Sequence, residues 1–181
     1  SELGAEKFFD IKCRASGFRP HAAVVVTTLR ALKLHGGAAA VKPGLPLPAD
    51  LMRPNREALG RGLANLEQHV ANVQAFGLPV VVAINGFQDD PEDERRYVQE
   101  QAKAAGAFAA VVATPWADGS EGAIELAQAV VEACDVPSSF VPLYADSASI
   151  HEKIETIARR MYGATGVTYS PEAEAGMELA T

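Results

Sequence analysis

The chain contains three short runs of apolar residues, and segments with helical spacing lie between them. The runs cover residues 22–29, 79–84 and 108–113. Continuous apolar strands of this kind are typical of a sheet that is covered on both faces. Strands that alternate with helices favour parallel pairing through right-handed crossovers. The sequence therefore predicts an α/β fold, mainly a parallel sheet with helices on both faces, and places residues 22–29 inside that sheet.

The clearest helix lies between the first two runs. Its apolar residues recur at three- and four-residue spacing until Gly77 and Pro79 end the pattern. They are Leu59, Leu63, Leu66, Val70, Val73 and Phe76. Further helices are predicted in three places: after an Asp90 cap with Pro91 as first helical residue, from about Glu121 to Cys134, and from Ser147 or Ser149 to Gly163.

Weaker patterns predict the remaining elements. Residues 8–13 alternate between apolar and charged types, which predicts a half-buried strand with Phe8 and Phe9 on opposite faces. Residues 140–144 suggest another short strand, and the chain beyond Gly166 suggests a strand fragment and one helical turn at Pro171. Residues 36–54 are rich in glycine and proline, so they predict a long loop.

Composition narrows the class of protein. A chain of 181 residues has the size of one domain, so residues 1–181 are expected to form a single α/β domain or part of one. The net charge of −7 argues against a nucleic-acid partner, and no apolar run approaches the ~20 residues of a membrane span. Cys13 and Cys134 form no C-x-x-C pair and the histidines are scattered, so we expect no metal site and a cytoplasmic setting.

The beginning of the chain carries its own expectations. Its first ten residues are rich in charged side chains, which does not fit a signal peptide. The chain does not begin with methionine, and we expect it to be a segment of a longer protein.

The predicted sheet also indicates where a ligand would bind. In open α/β sheets, ligands bind outside the carboxyl ends of the strands, and here the loops at those ends contain residues 27–30, 85–87 and 114–116. Just beyond the first of them, Arg30, Lys33 and His35 precede the Gly36-Gly37 pair. These cations suit an anionic ligand, but they equally suit the solvated face of a short helix that ends at Gly36.

Two other features leave alternatives open. Trp116, the only tryptophan, is either a lid on the core or a platform for stacking. Asn85 follows an apolar strand as in the N-K-x-D motif of GTPases, although Gly86 and Gln88 replace the lysine and the aspartate. Neither G-x-x-x-x-G-K-[ST] nor G-x-G-x-x-G occurs in the sequence, so these residues contain no common phosphate-binding loop.

Residues 26–37 read V-T-T-L-R-A-L-K-L-H-G-G. They resemble V-A-T-[IV]-R-A-L-K-x-[HN]-G-G, the second signature of the formate–tetrahydrofolate ligase family, and depart from it only at Thr27 and Leu29. Residues 4–14, 65–69, 79–85 and 150–158 also resemble that family. The resemblance extends over nearly the whole chain.

The resemblance implies that the chain is the middle of a P-loop NTPase-like ligase, without its P-loop part. It implies ATP-dependent ligation of formate to tetrahydrofolate through formyl phosphate, giving 10-formyltetrahydrofolate in one-carbon metabolism. ATP would enter with Mg²⁺, and the full-length protein would be a cytoplasmic homo-oligomer whose partners are small molecules. The isolated segment is expected to be inactive.

The resemblance also implies site residues but no catalytic residue. Aromatic side chains hold the aminobenzoyl part of the folate in this family, which points to Phe8, Phe9 and Trp116. The implied nucleotide or formyl phosphate pocket comprises Arg30, Lys33, His35, Asn85, Phe87 and Thr114.

The chain departs from the family pattern at two places in this region. Gly86 stands where an arginine is common, and residues 118–122 stand where K-G-G-E-G is common. These departures keep one alternative open, a degenerate copy of the fold that acts as a non-catalytic interaction domain. Asn85 after an apolar strand keeps another open, a GTPase-like nucleotide switch.

Overall fold

The computed structural model describes residues 4–179. They divide into two compact units. The sheet unit is Pro20–Ser139, and the terminal unit combines the described residues up to Arg19 with those from Phe140 onward.

The sheet unit contains three parallel strands. They are β1 (Ala23–Thr27), β2 (Val80–Asn85) and β3 (Ala109–Ala113), in the spatial order β1-β2-β3. Ala23 lies opposite Val80, and Val81 lies opposite Ala109. The prediction of an α/β fold with a parallel sheet is therefore confirmed.

Helices surround this sheet. They are α2 (Leu29–His35), α3 (Arg56–Gln74), α4 (Glu92–Ala104), α5 (Pro115–Asp118) and α6 (Ile124–Asp135), with single 3₁₀ turns at Ala49–Leu51 and Glu121–Ala123. Ala129 and Ala133 of α6 pack on Val81 of the central strand β2. The helices α3 and α4 also contact β2, which is buried along Val80–Ile84.

The predicted long helix is confirmed as α3. All six apolar residues of the predicted stripe are buried; the first five lie within α3, and Phe76 lies two residues beyond its end. Asn55 caps its N-terminus, and the side-chain oxygen of Asn55 accepts a hydrogen bond from the Ala58 N–H at 3.0 Å.

Three predictions for the sheet unit are wrong in detail. The strand β1 lies at the edge of the described sheet, with Val24 and Val26 43% and 67% exposed, because α6 packs mainly on β2 and β3. The helix α4 begins at Glu92, so Pro91 takes the capping position expected of Asp90. Residues 115 and 116 lie in the short helix α5 rather than in a loop.

The terminal unit is helical in its described part. It contains α1, which is π-helical over Lys7–Cys13 and α-helical over Arg14–Ser16, followed by α7 (Ile150–Tyr162) and α8 (Pro171–Leu179). A Ser149–Glu152 capping box begins α7, and Gly163 ends it in the left-handed conformation with φ at 65°. The prediction of that helix is confirmed.

The strands predicted for the terminal unit are wrong. Phe9 and Cys13 lie four residues apart on one helical face and are buried, whereas Ile11 between them is 61% exposed. In residues 140–144, Phe140 and Leu143 are buried at a spacing of three, which a strand would not give. Residues 166–170 are also not a strand, and the predicted single turn at Pro171 is the nine-residue helix α8.

Among the described residues, no helix is both long enough and apolar enough to span a bilayer.

Candidate functional site

The carboxyl ends of the three strands lie at one edge of the sheet. The strand β1 leads through Thr28 into α2, and the Thr28 hydroxyl caps that helix by accepting from the Ala31 N–H at 3.0 Å. Residues 86–90 follow β2, and we call them the Phe87 loop. Residues 114–125 follow β3 and include α5, and we call them the Trp116 segment. Both segments reach the edge where parallel sheets bind ligands.

Arg30 of α2 lies against the Phe87 ring. The guanidinium carbon is 3.8 Å from the ring centroid, which is a close cation–π contact. A nitrogen of the same guanidinium donates to Asp89 Oδ1 at 2.6 Å, and the Arg30 side chain is only 18% exposed. The predicted residues Arg30 and Phe87 are therefore brought together.

The main chain of the Phe87 loop is also held in place. The Phe87 N–H donates to Asp90 Oδ2 at 2.9 Å, and the Arg95 side chain donates to the Phe87 carbonyl. The loop is thus fixed by a carboxylate within it and by an arginine of α4. Sequence reasoning missed Asp89 and Arg95 and assigned Asp90 only to a helix cap, because the sequence alone does not show which charged residues of 89–96 contact the loop.

Lys33 forms a buried ion pair. Its Nζ lies 2.6 Å from Glu94 Oε2, and the two side chains are 1% and 2% exposed. Lys33 also donates to the Arg53 carbonyl at 2.8 Å, and Glu94 accepts from the Asn55 N–H at 2.6 Å. The pair therefore ties α2 to α4 and to the chain that leads into α3.

The short-helix interpretation of residues 30–35 is partly right. The residues do form a helix that ends at Gly36, and His35 is exposed there. Lys33, however, is buried rather than solvated, because Glu94 neutralises it and the Arg53 carbonyl accepts one of its protons.

The two glycines after His35 have structural causes. A Cβ on Gly36 would lie 1.7 Å from the Ala58 carbonyl oxygen, so the residue allows α2 to approach α3 closely. Gly62 of α3 makes the reciprocal approach to the Leu32 carbonyl oxygen at 1.8 Å. Gly37 adopts φ of +80°, a conformation that suits glycine.

Asn85 and Gly86 end the central strand. Asn85 is half-buried, and the Gly86 N–H donates to the Ala113 carbonyl at 2.9 Å, which extends the β2–β3 pairing by one residue. A Cβ on Gly86 would point toward Val112 and Thr114, at 3.1 and 3.4 Å from their side chains. A longer side chain at this position therefore requires a small shift of Val112.

The Trp116 segment is acidic and open. The Thr114 hydroxyl donates to Asp118 Oδ2 at 2.7 Å, and the Thr114 N–H donates to the Gly122 carbonyl at 2.9 Å. A cavity of about 330 Å³ lies here, lined by Val112, Thr114, Asp118, Glu121, Gly122 and Glu125. Its three carboxylates disfavour an anion on this side of the edge.

Trp116 projects from α5 with 88% of the residue exposed. This exposure argues against a lid on the core, which would be buried, and the stacking role stays a prediction. Trp116 is instead a free aromatic surface beside the acidic cavity residues Asp118 and Glu121.

Phe8 and Phe9 lie in the terminal unit. Phe9 is buried against Phe140, with ring centroids 5.8 Å apart, and Phe8 is 42% exposed. The two rings meet edge to face at 5.5 Å. One ring is therefore buried and the other exposed as expected, but they are neighbours on a helix rather than opposite residues of a strand.

A buried carboxylate stabilises this part of the terminal unit. Asp10 accepts from the Leu143 N–H at 2.8 Å, and Arg14 lies 3.7 Å away and donates to the Tyr144 carbonyl at 2.6 Å. Burial raises the pKa of the Asp10 carboxyl above its ordinary value, against the lowering effects of the hydrogen bond and of Arg14. Asp10 therefore fixes the position of residues 143–144 beside α1.

The described residues contain no group of three or more His, Cys, Asp or Glu side chains with the geometry of a metal site.

The whole chain, residues 1–181, matches the family model described as formate–tetrahydrofolate ligase. The chain belongs to this family. It is 51% identical over 174 residues to the formate–tetrahydrofolate ligase of Desulforamulus reducens, which covers 96% of the chain and 31% of that protein. It is 53% identical over 172 residues to the cytoplasmic C-1-tetrahydrofolate synthase of Spodoptera frugiperda, covering 95% of the chain and 18% of that protein. The human cytoplasmic synthase is 45% identical over 181 residues, 19% of its length.

The ligase-family signature at residues 26–37 thus spans the end of β1, all of α2 and the glycine pair. Within it, Arg30 supports the Phe87 ring, Lys33 forms a buried ion pair, and Gly36 permits close helix packing. Sequence reasoning missed Glu94, because the first turn of α4 contains three acids that all suit the helix dipole.

Proposed function

We propose that these residues form part of a ligase that uses ATP to join formate to tetrahydrofolate, giving 10-formyltetrahydrofolate for one-carbon metabolism. The family match over residues 1–181 carries this proposal. The chain spans 31% of the bacterial ligase and less than a fifth of the insect and human synthases, so the activity is proposed for a protein that contains these residues with the rest of the ligase sequence.

The reaction has two steps in this proposal. A formate oxygen attacks the γ-phosphorus of ATP, which gives formyl phosphate and releases ADP. The folate N10 then attacks the formyl carbon, phosphate leaves, and N10 loses its proton. Both steps pass through anionic states, so positioned cations are the main help that a protein can offer.

Six residues of the sheet unit are proposed for the nucleotide or formyl phosphate pocket: Arg30, Lys33, His35, Asn85, Phe87 and Thr114. Arg30 is the cation of this set that keeps some contact with solvent, and His35 is exposed. Lys33 is committed to Glu94, so its proposed contribution is to hold α2 in place. Because the sequence contains no G-x-x-x-x-G-K-[ST] motif, the phosphate loop is assigned to other residues of the longer protein.

Mg²⁺ is proposed to enter with ATP. The described residues do not fit a metal site of their own, since they contain no suitable cluster of carboxylates, histidines or cysteines. No step of the mechanism is derived through the ion.

Phe8, Phe9 and Trp116 are proposed as folate-binding residues. The exposure of Trp116 and Phe8 supports this, because an aromatic ring must be accessible to stack on the aminobenzoyl group. Phe9 would contribute by packing beneath Phe8 at 5.5 Å. The proposed setting is the cytoplasm, with a homo-oligomeric protein that binds small molecules and neither nucleic acid nor membrane.

The test uses the longest open reading frame that contains this sequence. The purified product should form 10-formyltetrahydrofolate only when ATP, formate and tetrahydrofolate are all present. Omission of formate should abolish ADP formation, and omission of tetrahydrofolate should stop the reaction after formyl phosphate. The 181 residues alone should give no turnover. A folded full-length product without ADP release would favour the degenerate copy, and GTP hydrolysis independent of formate would favour the nucleotide switch.

A further inference from the structure

The Phe87 ring has one face already covered. A guanidinium carbon 3.8 Å from a ring centroid lies against the face of the ring, so Arg30 occupies that face. The residue is only half-buried, and part of its surface therefore remains accessible. A planar ligand group can stack on this ring only from the side opposite Arg30.

Contacts from α2, from the Phe87 loop and from α4 hold the Arg30 side chain and the Phe87 main chain. Arg30 is held by Asp89 at 2.6 Å, and the start of its helix is capped by Thr28. The Phe87 main chain is held on one side by Asp90 and on the other by Arg95. The Arg30 guanidinium and the Phe87 main chain are therefore both held by hydrogen bonds, and the guanidinium lies against one face of the ring.

A similar pair elsewhere shows that stacking alone does not mark a site. The Arg56 guanidinium carbon lies 3.3 Å from the Tyr97 ring centroid, and this pair joins α3 to α4 as a packing contact between helices. The Arg30–Phe87 pair differs in its place, because it follows the central strand at the carboxyl edge of the sheet. It is therefore the pair from which a ligand-related role is expected.

We propose that Arg30 is the positioning residue for Phe87, covering one ring face so that the other is presented to a planar heteroaromatic group. The identity of the ligand rests on the proposed function, which supplies two such groups: the pterin of tetrahydrofolate and the adenine of ATP. Arg30 acts through the ring orientation and its own charge need not touch the ligand. Arg30 therefore affects the binding of only one of the two ligands, the one that stacks on Phe87.

Binding of tetrahydrofolate and of ATP to the longest available chain tests the positioning role of Arg30. Dissociation constants for tetrahydrofolate and for ATP are measured separately by calorimetry, in the wild type and in Arg30→Met, Arg30→Lys and Phe87→Leu. Arg30→Met should weaken one ligand about tenfold, as expected for a lost cation–π support and a misplaced ring, and leave the other within about twofold. Arg30→Lys should fall between the wild type and Arg30→Met, because it keeps the charge without the planar group.

Two controls separate positioning from general folding. Arg56→Met removes the comparable pair between helices and should leave both dissociation constants unchanged. In the Phe87→Leu background, Arg30→Met should cause no further loss of binding, because the ring through which Arg30 acts is gone.

Several outcomes would overturn the inference: unchanged binding of both ligands in Arg30→Met, equal weakening of both, or an undiminished effect of Arg30→Met in the Phe87→Leu background. A wild type that binds neither ligand would contradict it as well. A wild type that binds its ligands but does not release ADP would contradict the proposed function alone and leave the role of Arg30 supported by the binding data.

Discussion

The Phe87 loop and the Trp116 segment lie at the same edge of one sheet, yet they are built in opposite ways. Phe87 is half-buried, its main chain is bonded on both sides, and an arginine covers its ring. Trp116 is 88% exposed on a four-residue helix, beside a cavity whose charged side chains are all carboxylates. One aromatic residue is fixed before any ligand binds, and the other is free.

The difference follows from what lies behind each segment. The Phe87 loop is backed by α2 and α4, and the buried Lys33–Glu94 pair joins those helices. The described contacts of the Trp116 segment are mostly local, such as those of Thr114 with Asp118 and Gly122. A preset surface can fix the orientation of a ligand, whereas a free aromatic ring can close on it after binding.

The largest expected effect is on the support of the Phe87 loop. Lys33→Met should lower the free energy of unfolding by about 3–5 kcal/mol, because it leaves the Glu94 carboxylate buried without its partner. Urea denaturation measures this effect. The double variant Lys33→Met/Glu94→Leu should recover most of the loss, and a cost below about 1 kcal/mol for Lys33→Met would contradict the structural role of the pair.

A second, smaller effect concerns the close approach of α2 to α3. Gly62→Ala should destabilise the protein by about 1–3 kcal/mol, because its Cβ would lie 1.8 Å from the Leu32 carbonyl oxygen and force the helices apart. Gly60→Ala in the same helix is the control. Its Cβ meets only the Tyr97 hydroxyl at 3.5 Å, so helix propensity should stabilise it by about 0.5–1 kcal/mol. Equal effects at both positions, read from urea denaturation, would disprove this explanation of Gly62.

The third prediction concerns Trp116, the exposed aromatic residue at the carboxyl edge of the sheet. Trp116→Ala should change the free energy of unfolding by less than about 0.5 kcal/mol, since the residue is exposed. It should weaken tetrahydrofolate binding by about 1–3 kcal/mol if the ring stacks on the folate. Calorimetry measures the binding, and Phe18→Ala, at a 58% exposed aromatic outside the proposed site, is the control. Unchanged binding in Trp116→Ala would remove this residue from the site.

The smallest effect is expected at the base of the Trp116 segment. Thr114→Val removes the donor to Asp118 and should cost at most about 1 kcal/mol of stability, because this hydrogen bond is exposed to water. Thr114→Ser retains the hydroxyl and should stay closer to the wild type. A loss well above 1 kcal/mol in thermal or urea unfolding would mean that this segment is as firmly held as the Phe87 loop.

The sequence predicts the sheet unit better than the terminal unit, and the reason is physical. The long periodic stripe of α3 has one good structural solution, and the continuous apolar run of β2 fits a strand that is covered on both faces; both predictions are confirmed. In residues 8–13, however, Phe9, Ile11 and Cys13 fit a strand by their alternation, while Phe9 and Cys13 also fit a helical face. Six residues are too few to distinguish a strand from a helix by their pattern. In the structure these residues form a helix, with Phe9 and Cys13 buried.

The strand-end rule indicated residues 27–30, 85–87 and 114–116, and the structure places Arg30, Phe87 and Trp116 at the carboxyl edge of the sheet. That these residues bind a ligand stays a prediction. The sequence could not show that Lys33 forms a buried ion pair with Glu94, or that Arg30 stacks on Phe87. Those contacts join residues 61 and 57 positions apart, and no local spacing encodes a pairing over such a distance.

Amide hydrogen exchange of the full-length chain, with and without tetrahydrofolate, tests the account most directly. The amides of Gly86, Phe87 and Asp90 should exchange slowly in both states, because each donates a hydrogen bond in the structure. The amides of Ala117 and Asp118 donate to the Thr114 carbonyl at the exposed start of α5, so they should exchange rapidly alone and gain protection when tetrahydrofolate is added. Rapid exchange of Gly86, Phe87 and Asp90 without ligand, or no gain of protection at Ala117 and Asp118 at saturating tetrahydrofolate, would contradict the division into a preset side and a ligand-closed side.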